Sequence, residues 1–334
     1  DILKRLKKKA GFYMKKQFLI TVMGAAIVLA ACGSKGTDKN EDTTVTIEHN
    51  ETSVEAGEDT ESVADESSTA VSKADIKLKY SNLVDEDTRN RVKNALKNAG
   101  LSDEKIKSFF DAVDEYNNAV GSKNLVQSMT TIDAAFPTFD QDKLIDAWLA
   151  KGGYVGRNCR ITSYSLMGDF IKVGNPTPGD TTMLFNDFDS IKDKNIFEGE
   201  DKKKFDTLFS YIDVTNTHDT NVLSDEIIKS WEEKQISFNN DKMHMISVFM
   251  TMDDGMNKVQ EFIGHTGILV EDGDKYLFIE KLAFELPYQV EEFDNLQDVN
   301  DYLMGYYDNE AEGLTAKPVI FEDGKVMNEY RVLK

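Results

Sequence analysis

Apolar residues recur at three- and four-residue spacing from about Ile76 onward, which is the period of an α-helix. Arg89 to Ala99 is the first such segment, and Gly100 closes it. Ser102 then provides an N-cap for a second apolar stripe that ends at Gly121. The same pattern predicts helices over 141–150, from Cys159 through Phe170, and over 205–212, 224–233 and 296–306.

The pattern changes to runs of β-branched and aromatic residues in the second half of the chain, which is typical of strands. We predict strands over 243–252, 262–270, 275–282, 318–321 and 326–333. Because the predicted helices come first along the chain and the predicted antiparallel strands come later, we expect an α+β fold. Residues 76–334 are therefore expected to form a single domain, with N-terminal helices packed on a sheet formed mainly by the C-terminal half.

A short signal sequence is predicted at the beginning of the chain, within residues 1–31. Lys15 and Lys16 follow Met14 and precede an apolar stretch, 18–28, that is too short to span a bilayer. Leu29-Ala30-Ala31-Cys32 resembles the lipobox of bacterial lipoproteins. The resemblance implies cleavage before Cys32 and a diacylglyceryl group on its thiol, which supplies two chains for stable anchoring. The residues before Met14 are interpreted as upstream translated sequence.

The segment after Cys32 has the composition of a disordered tether. Residues 33–75 contain twelve acidic residues, three lysines and no aromatic residue. Such a segment cannot bury enough apolar area to offset its ordering entropy. We expect 32–75 to be a flexible acidic leash that keeps the folded part on the extracytoplasmic side, away from the membrane.

Charge and cysteine content exclude several classes of function. The formal net charge is −21, whereas nucleic-acid and anionic-lipid binders need a basic surface. Two cysteines cannot build a disulfide framework or a cysteine-based zinc site. The chain contains no GxGxxG, P-loop or HExxH motif. We therefore expect no metal and no cofactor, and the sequence predicts no oligomeric state.

Cys159 is the one thiol that remains once Cys32 is lipidated. A free cysteine usually packs as a small, inert hydrophobe. Here a Gly-rich turn, 151–156, leads through Asn158 into a predicted helix, so the thiol lies at a helix N-terminus. The backbone dipole favours the thiolate there, and Arg160 adds positive charge. Both interpretations, inert and reactive, remain open at this point.

A cysteine nucleophile needs a base and a group that orients it. If the turn 271–274 is centred between Asp272 and Gly273, His265 faces Glu280 across the hairpin. The carboxylate would then fix the imidazole tautomer and support its charged form. The alternatives are a surface His–Glu pair, or His244 in place of His265 as the base.

Three segments resemble a bacterial lipoprotein family described as domain of unknown function 4300. They are Tyr154 to Arg160, His265 to Leu269 and Tyr276 to Leu282. More remotely, a cysteine at a helix start and a later strand that begins His-x-Gly-Ile are similar to the NlpC-type papain-like cysteine peptidases.

The resemblance implies a papain-like core with Cys159 as nucleophile, His265 as base and Glu280 as the third residue. Tyr154 and Asn158 are candidates for oxyanion or substrate contact. Two departures are visible: about a hundred residues separate the cysteine from the histidine, and the third position is glutamate where His, Asn or Gln is commoner.

The leading functional prediction is a membrane-anchored extracytoplasmic cysteine hydrolase that cleaves an amide bond, with a cell-wall peptide as one candidate substrate. The first alternative is a non-catalytic surface lipoprotein that serves as a binding or interaction module. The second is an acyl- or amide-transferase that uses the same three residues with an amine acceptor. The sequence does not identify the substrate.

Overall fold

The computed structural model describes residues 76–134, 137, 139–256, 258–308 and 313–333. These residues form a mixed α+β structure with an antiparallel sheet. The predicted signal sequence in 1–31, the tether in 32–75 and the lipid site at Cys32 lie outside the described residues.

The helices begin where a polar side chain can satisfy a first-turn backbone N–H. Asp85, Ser102, Asp140, Asn158 and Asn295 each accept such a hydrogen bond. The described residues contain eight α-helices: α1 Glu86–Asn98, α2 Asp103–Val120, α3 Gln141–Lys151, α4 Cys159–Met167, α5 Phe185–Lys194, α6 Gly199–Phe209, α7 Thr220–Glu233 and α8 Leu296–Tyr307.

Nine of the eleven strands in the described ranges form one sheet, in which all pairs are antiparallel. The strands are β1 Leu78–Ser81, β2 Thr130–Ile132, β3 Ile171–Val173, β4 Ile212–Val214, β5 Ile236–Phe238, β6 Met243–Asp253, β7 Val259–Asp272, β8 Lys275–Lys281, β9 Tyr288–Phe293, β10 Val319–Glu322 and β11 Lys325–Val326. The order is β11-β10-β6-β7-β8-β9-β1-β2, and β4 pairs separately with β7. β3 and β5 form a two-stranded sheet of their own.

The two faces of the large sheet bury different helices. One face packs against α1 and α4, with Ile268 and Ile279 in the shared core. The opposite face packs against α8, with Leu269 and Phe278 in that core. The alternation of neighbouring residues between the two cores follows from the two-residue period of a strand. It also means that α4 and α8 approach the sheet from opposite sides.

One edge of β7 is incompletely paired. β6 pairs with β7 along one edge, and the other edge is shared by two strands. On that edge β4 covers 259–261 and β8 covers 267–272, so 262–266 have no ladder partner there. The result is a gap in the sheet between β4 and β8, beside His265.

The structure corrects several sequence expectations. The predicted helix 205–212 begins earlier, at Gly199, and ends at Phe209, and Ile212 instead starts β4, where it pairs with Glu261. The predicted strand 326–333 is wrong beyond Val326, because no strand partner continues there and the chain turns to pack Met327 beneath α8. β1 and β2, which follow β9 in the sheet, come from the N-terminal part of the domain and add to a sheet formed mainly by the C-terminal half.

The predicted register of the β7–β8 hairpin is wrong by two residues. Glu280 pairs with Gly267 rather than with His265, because the turn is tighter and the last pair is Asp272 with Lys275. Gly273, the first loop residue, has φ +69°, a conformation that glycine adopts at low cost. A shift of two residues keeps every side chain on its predicted face, so His265 and Glu280 remain diagonal neighbours on one face.

Candidate active site

The thiol lies at the beginning of a helix, as the sequence predicts. Cys159 is the first residue of α4, where backbone N–H groups have no intrahelical acceptor. Asn158 caps this end, because its Oδ1 accepts a hydrogen bond from the Ile161 N–H at 3.0 Å. The positive end of the helix dipole therefore points at the cysteine.

A buried carboxylate fixes the two residues that flank the cysteine. Asp187, on α5, accepts hydrogen bonds from Arg160 Nε at 3.0 Å and Arg160 Nη2 at 2.9 Å. Its Oδ1 also accepts a bond from Asn158 Nδ2 at 2.8 Å. Arg160 Nη1 donates to the carbonyl of Ile263 at 3.4 Å. Ile263 lies in the stretch of β7 that has no strand partner on the edge shared by β4 and β8. The start of α4 is thereby tied to the strand that carries His265.

His265 lies beside the gap in the sheet. The β6–β7 register shifts by one residue between Val248 and Phe249, and Gly264 is the extra residue on β7. Such a bulge changes which face the following residues present. His265 consequently points to the α8 face, where its Nε2 meets Glu280 Oε2 at 2.5 Å.

Glu280 is buried and fully engaged by donors. Besides the imidazole, its Oε1 accepts hydrogen bonds from Gln289 Nε2 and from the Tyr302 hydroxyl, each at 2.6 Å. Glu291 lies nearby on β9, and burial together with the charge of Glu280 raises the pKa of Glu291 well above its usual range. The neutral form of Glu291 is thereby favoured, and Glu280 is the carboxylate that contacts the imidazole.

The Cys159 thiol and the His265 imidazole interact with each other, and their pKa values move in opposite directions. Burial raises the pKa of Cys159, but the hydrogen bond and charge of His265 and the charge of Arg160 outweigh it, so the net pKa is lowered. Burial lowers the pKa of His265, but the charge of Glu280 and the bonds to Cys159 and Glu280 raise it to about 9. Since Nε2 is occupied by Glu280, Nδ1 is the nitrogen available to the thiol.

The arrangement favours an ion pair between a Cys159 thiolate and a His265 imidazolium, which is the reactive state of a cysteine nucleophile. The sequence analysis named Cys159, His265 and Glu280 as candidates, and the structure places all three next to one another. Three residues of the site were missed by sequence reasoning: Asp187, Gln289 and Tyr302. Gln289 lies on a strand that the sequence did not predict.

A family profile described as "Domain of unknown function (DUF4300)" matches residues 79–327, which is most of the chain. The chain belongs to the DUF4300 family. The matched range contains Cys159, His265 and Glu280 together with every strand from β6 to β10. No curated protein and no solved structure matches this DUF4300 chain.

Tyr154 and Asn158 take part in the DUF4300 structure through their side chains. The Tyr154 hydroxyl lies 3.1 Å from Ser190 Oγ, which donates to the Gly156 carbonyl at 2.6 Å. The Tyr154 ring packs edge-on against Trp148. Both polar groups of Asn158 are used, one in the helix cap and one on Asp187. Each side chain would have to give up a partner in order to contact a substrate.

His244 does not replace His265. Its Nδ1 lies 2.8 Å from Asp323 Oδ2, in the turn between β10 and β11. This hydrogen bond, opposed by partial burial, raises the pKa of His244. The pair stabilises the turn, and Cys159 interacts with His265 instead.

Cys159 and His265 are enclosed in the DUF4300 structure. Cys159 is 5% exposed and His265 is 1% exposed. A cavity of about 390 Å³ lies elsewhere, between the Gly179–Asp180 turn, β4 and α7, and none of the three residues lines it. Within the described ranges, no cluster of side chains could hold a metal ion, and no helix is long and apolar enough to cross a bilayer.

Proposed function

We propose that this DUF4300 protein is a cysteine hydrolase that cleaves an amide bond, with Cys159 as nucleophile, His265 as general base and acid, and Glu280 as the residue that orients the imidazole. The observation that carries the proposal is the buried chain of thiol, imidazole and carboxylate. Burying a histidine against a charged glutamate, beside a cysteine at a helix N-terminus, costs desolvation free energy, which a reactive thiol would explain.

The proposed reaction has an acylation step and a hydrolysis step. The Cys159 sulfur bonds to the substrate carbonyl carbon, and the C=O π electrons move to the oxygen. The His265 imidazolium then gives its proton to the leaving amine as the C–N bond breaks, which leaves a thioester. His265 next takes a proton from water, whose oxygen attacks the thioester; the C–S bond breaks, which releases the acid and restores the Cys159 thiolate beside the His265 imidazolium. The Cys159 backbone N–H, in the first turn of α4, is a donor for the oxyanion.

The papain-like relationship is part of the same proposal. Its support is the combination of a cysteine at a helix start, a histidine on a later strand and a polar residue on the next strand, which is similar to the NlpC-type order. That superfamily cleaves amide bonds, often in cell-wall peptides, so a cell-wall peptide is the substrate class we propose first.

We also propose that the protein is anchored by lipid on Cys32, with the folded part outside the cytoplasm. The support is Leu29-Ala30-Ala31-Cys32 after a short apolar stretch, followed by the acidic segment 33–75. Metabolic labelling with a palmitate analogue tests this directly. Label retained by a Cys32→Ser variant would contradict the anchor.

The enclosure of the site favours a second candidate, a non-catalytic surface lipoprotein that keeps the scaffold for binding. Cys159 in such a protein would be a packed core residue, and no reagent would reach it without unfolding. The two candidates differ in the reactivity of one sulfur atom.

The deciding experiment is the rate of alkylation of Cys159 by iodoacetamide, followed site by site through peptide mass spectrometry so that Cys32 does not interfere. The hydrolase proposal expects Cys159 to react faster than a small reference thiol at pH 6, and His265→Asn to abolish the advantage. His244→Asn is the matched control and should leave the rate unchanged. A wild-type rate no higher than that of the reference thiol would leave the binding module as the better account.

A further inference from the structure

Tyr307 lies next to the candidate active site, and the proposed reaction gives its buried hydroxyl no role. It is the last residue of α8, and its ring stacks on the His265 imidazole with centroids 4.5 Å apart and 16° between the planes. The side chain is 7% exposed. Its hydroxyl is buried and has no hydrogen-bond partner among the described residues.

A buried hydroxyl without a partner loses its bonds to water and gains nothing in return. Most buried polar groups avoid this cost, so each exception calls for a physical explanation. Tyr302, five residues earlier on α8, shows the usual solution, because its hydroxyl donates to Glu280 at 2.6 Å. A phenylalanine at position 307 would keep the stacking and avoid the cost.

The location of the phenol suggests what it could bind. Burial, the charge of Glu280 and the charge of Cys159 all raise the pKa of Tyr307 well above its usual range. The phenol therefore stays protonated and remains a donor, within electrostatic reach of the sulfur. When a thiolate adds to a carbonyl, negative charge develops on the carbonyl oxygen, and a pre-positioned donor at that place accelerates the step.

We propose that the Tyr307 hydroxyl is an oxyanion donor, which acts on the carbonyl oxygen of the substrate together with the Cys159 backbone N–H. This inference rests on the proposed hydrolase function and extends it to a residue that the chemistry had not required. The substrate class is any acyl compound whose carbonyl carbon is attacked by Cys159, and its carbonyl oxygen would accept the hydrogen bond from Tyr307.

The test compares two reactions of the same thiol in the full chain. Acylation by p-nitrophenyl acetate passes through an oxyanion: sulfur bonds to the carbonyl carbon, and p-nitrophenolate leaves as the thioester forms. Alkylation by iodoacetamide displaces iodide from a CH₂ carbon and creates no oxyanion. Tyr307→Phe removes the hydroxyl and keeps the ring on His265. Tyr164→Phe, on α4, is the matched control, because it removes another buried hydroxyl that has no partner in the described ranges.

We expect Tyr307→Phe to lower the acylation rate of Cys159 about 10²-fold, the usual effect of losing one oxyanion donor. The alkylation rate and its pH profile should remain as in the wild type, and the thermal unfolding midpoint should stay the same or rise. Tyr164→Phe should change neither rate.

Three results would overturn the proposal: acylation by Tyr307→Phe within about threefold of wild type, an equal loss in Tyr164→Phe, or a parallel loss of alkylation. The last result would mean that the phenol acts on the thiol itself rather than on the oxyanion. If wild-type Cys159 reacts with neither reagent, the hydrolase proposal fails, and the role of Tyr307 fails with it. If the wild-type thiol is reactive and the acylation rate of Tyr307→Phe equals that of the wild type, only the role of Tyr307 is rejected.

Discussion

Replacing Glu280 with glutamine tests whether the negative charge of Glu280 holds His265 in its charged form. Glutamine keeps the size of the side chain and one acceptor oxygen for the bonds from Gln289 and Tyr302, but it removes the negative charge that faces His265. Without that charge, burial dominates and favours the neutral imidazole. We expect the thiol proton to return to Cys159 at neutral pH.

The magnitude follows from the raised pKa of His265. A rise from 6.5 to about 9 corresponds to about 3 kcal/mol in favour of the imidazolium, at about 1.4 kcal/mol for each pKa unit. Burial opposes this rise, so Glu280 and Cys159 must together supply more than that amount. Losing the largest favourable contribution should lower the alkylation rate of Cys159 at pH 7 by about 10- to 100-fold.

The assay is the iodoacetamide rate of Cys159 between pH 5 and 9, with the circular dichroism spectrum as a check of folding. Glu291→Gln is the matched control. Glu291 is a buried carboxyl on the neighbouring strand, and its raised pKa favours the neutral form, so a neutral replacement should leave the rate unchanged. A folded Glu280→Gln variant that reacts within threefold of wild type, or an equal loss in Glu291→Gln, would refute the electrostatic argument.

Three further predictions concern stability and are measured by urea unfolding. Burial raises the pKa of Glu261 to about 7 despite its bond from a threonine hydroxyl, so the folded state retains a proton that the unfolded state releases above pH 4.5. The wild type should therefore lose about 3 kcal/mol relative to Glu261→Gln as the pH rises from 4.5 to 7, and a constant difference would contradict this. Asp187→Ala should cost about 3–5 kcal/mol because it leaves Arg160 buried and unpaired, and a cost below about 1 kcal/mol would show that the pair is not the anchor of α4. Gly267→Ala should cost about 1–3 kcal/mol because its Cβ would lie 2.3 Å from an aromatic ring of β8, whereas Gly324→Ala, with no contact under 3.8 Å, should be nearly neutral.

Local features of the sequence were sufficient for much of the fold. Ser102 and Asn158 are N-caps in the structure, because a short polar side chain before an apolar stripe satisfies a first-turn N–H whatever lies around it. The β7–β8 hairpin was placed correctly although its register was wrong. His265 and Glu280 still meet, because an error of two residues preserves the face.

Other residues of the site could not be identified from the sequence around them. Asp187 lies on α5, a helix that the sequence analysis did not predict, and its partners Asn158 and Arg160 are distant in the chain. Gln289 lies on β9, where Gln289 and Glu291 are polar residues at fully buried positions. Prediction from the apolar and polar pattern treats polar side chains as facing water. A strand whose polar side chains form a buried hydrogen-bond network is therefore not recognised.

The sequence by itself determined the residue types of the candidate site, the helix that presents Cys159 and the face of the hairpin that carries His265 and Glu280. These depend on capping, period and alternation, which act over a few residues. The tertiary structure alone decided that β4 and β8 leave a gap along one edge of β7, and that α4 and α8 meet His265 from opposite sides of the sheet. The physical reason is that strand pairing and helix packing join residues far apart in the chain, and nothing in the local sequence records which partner is left out.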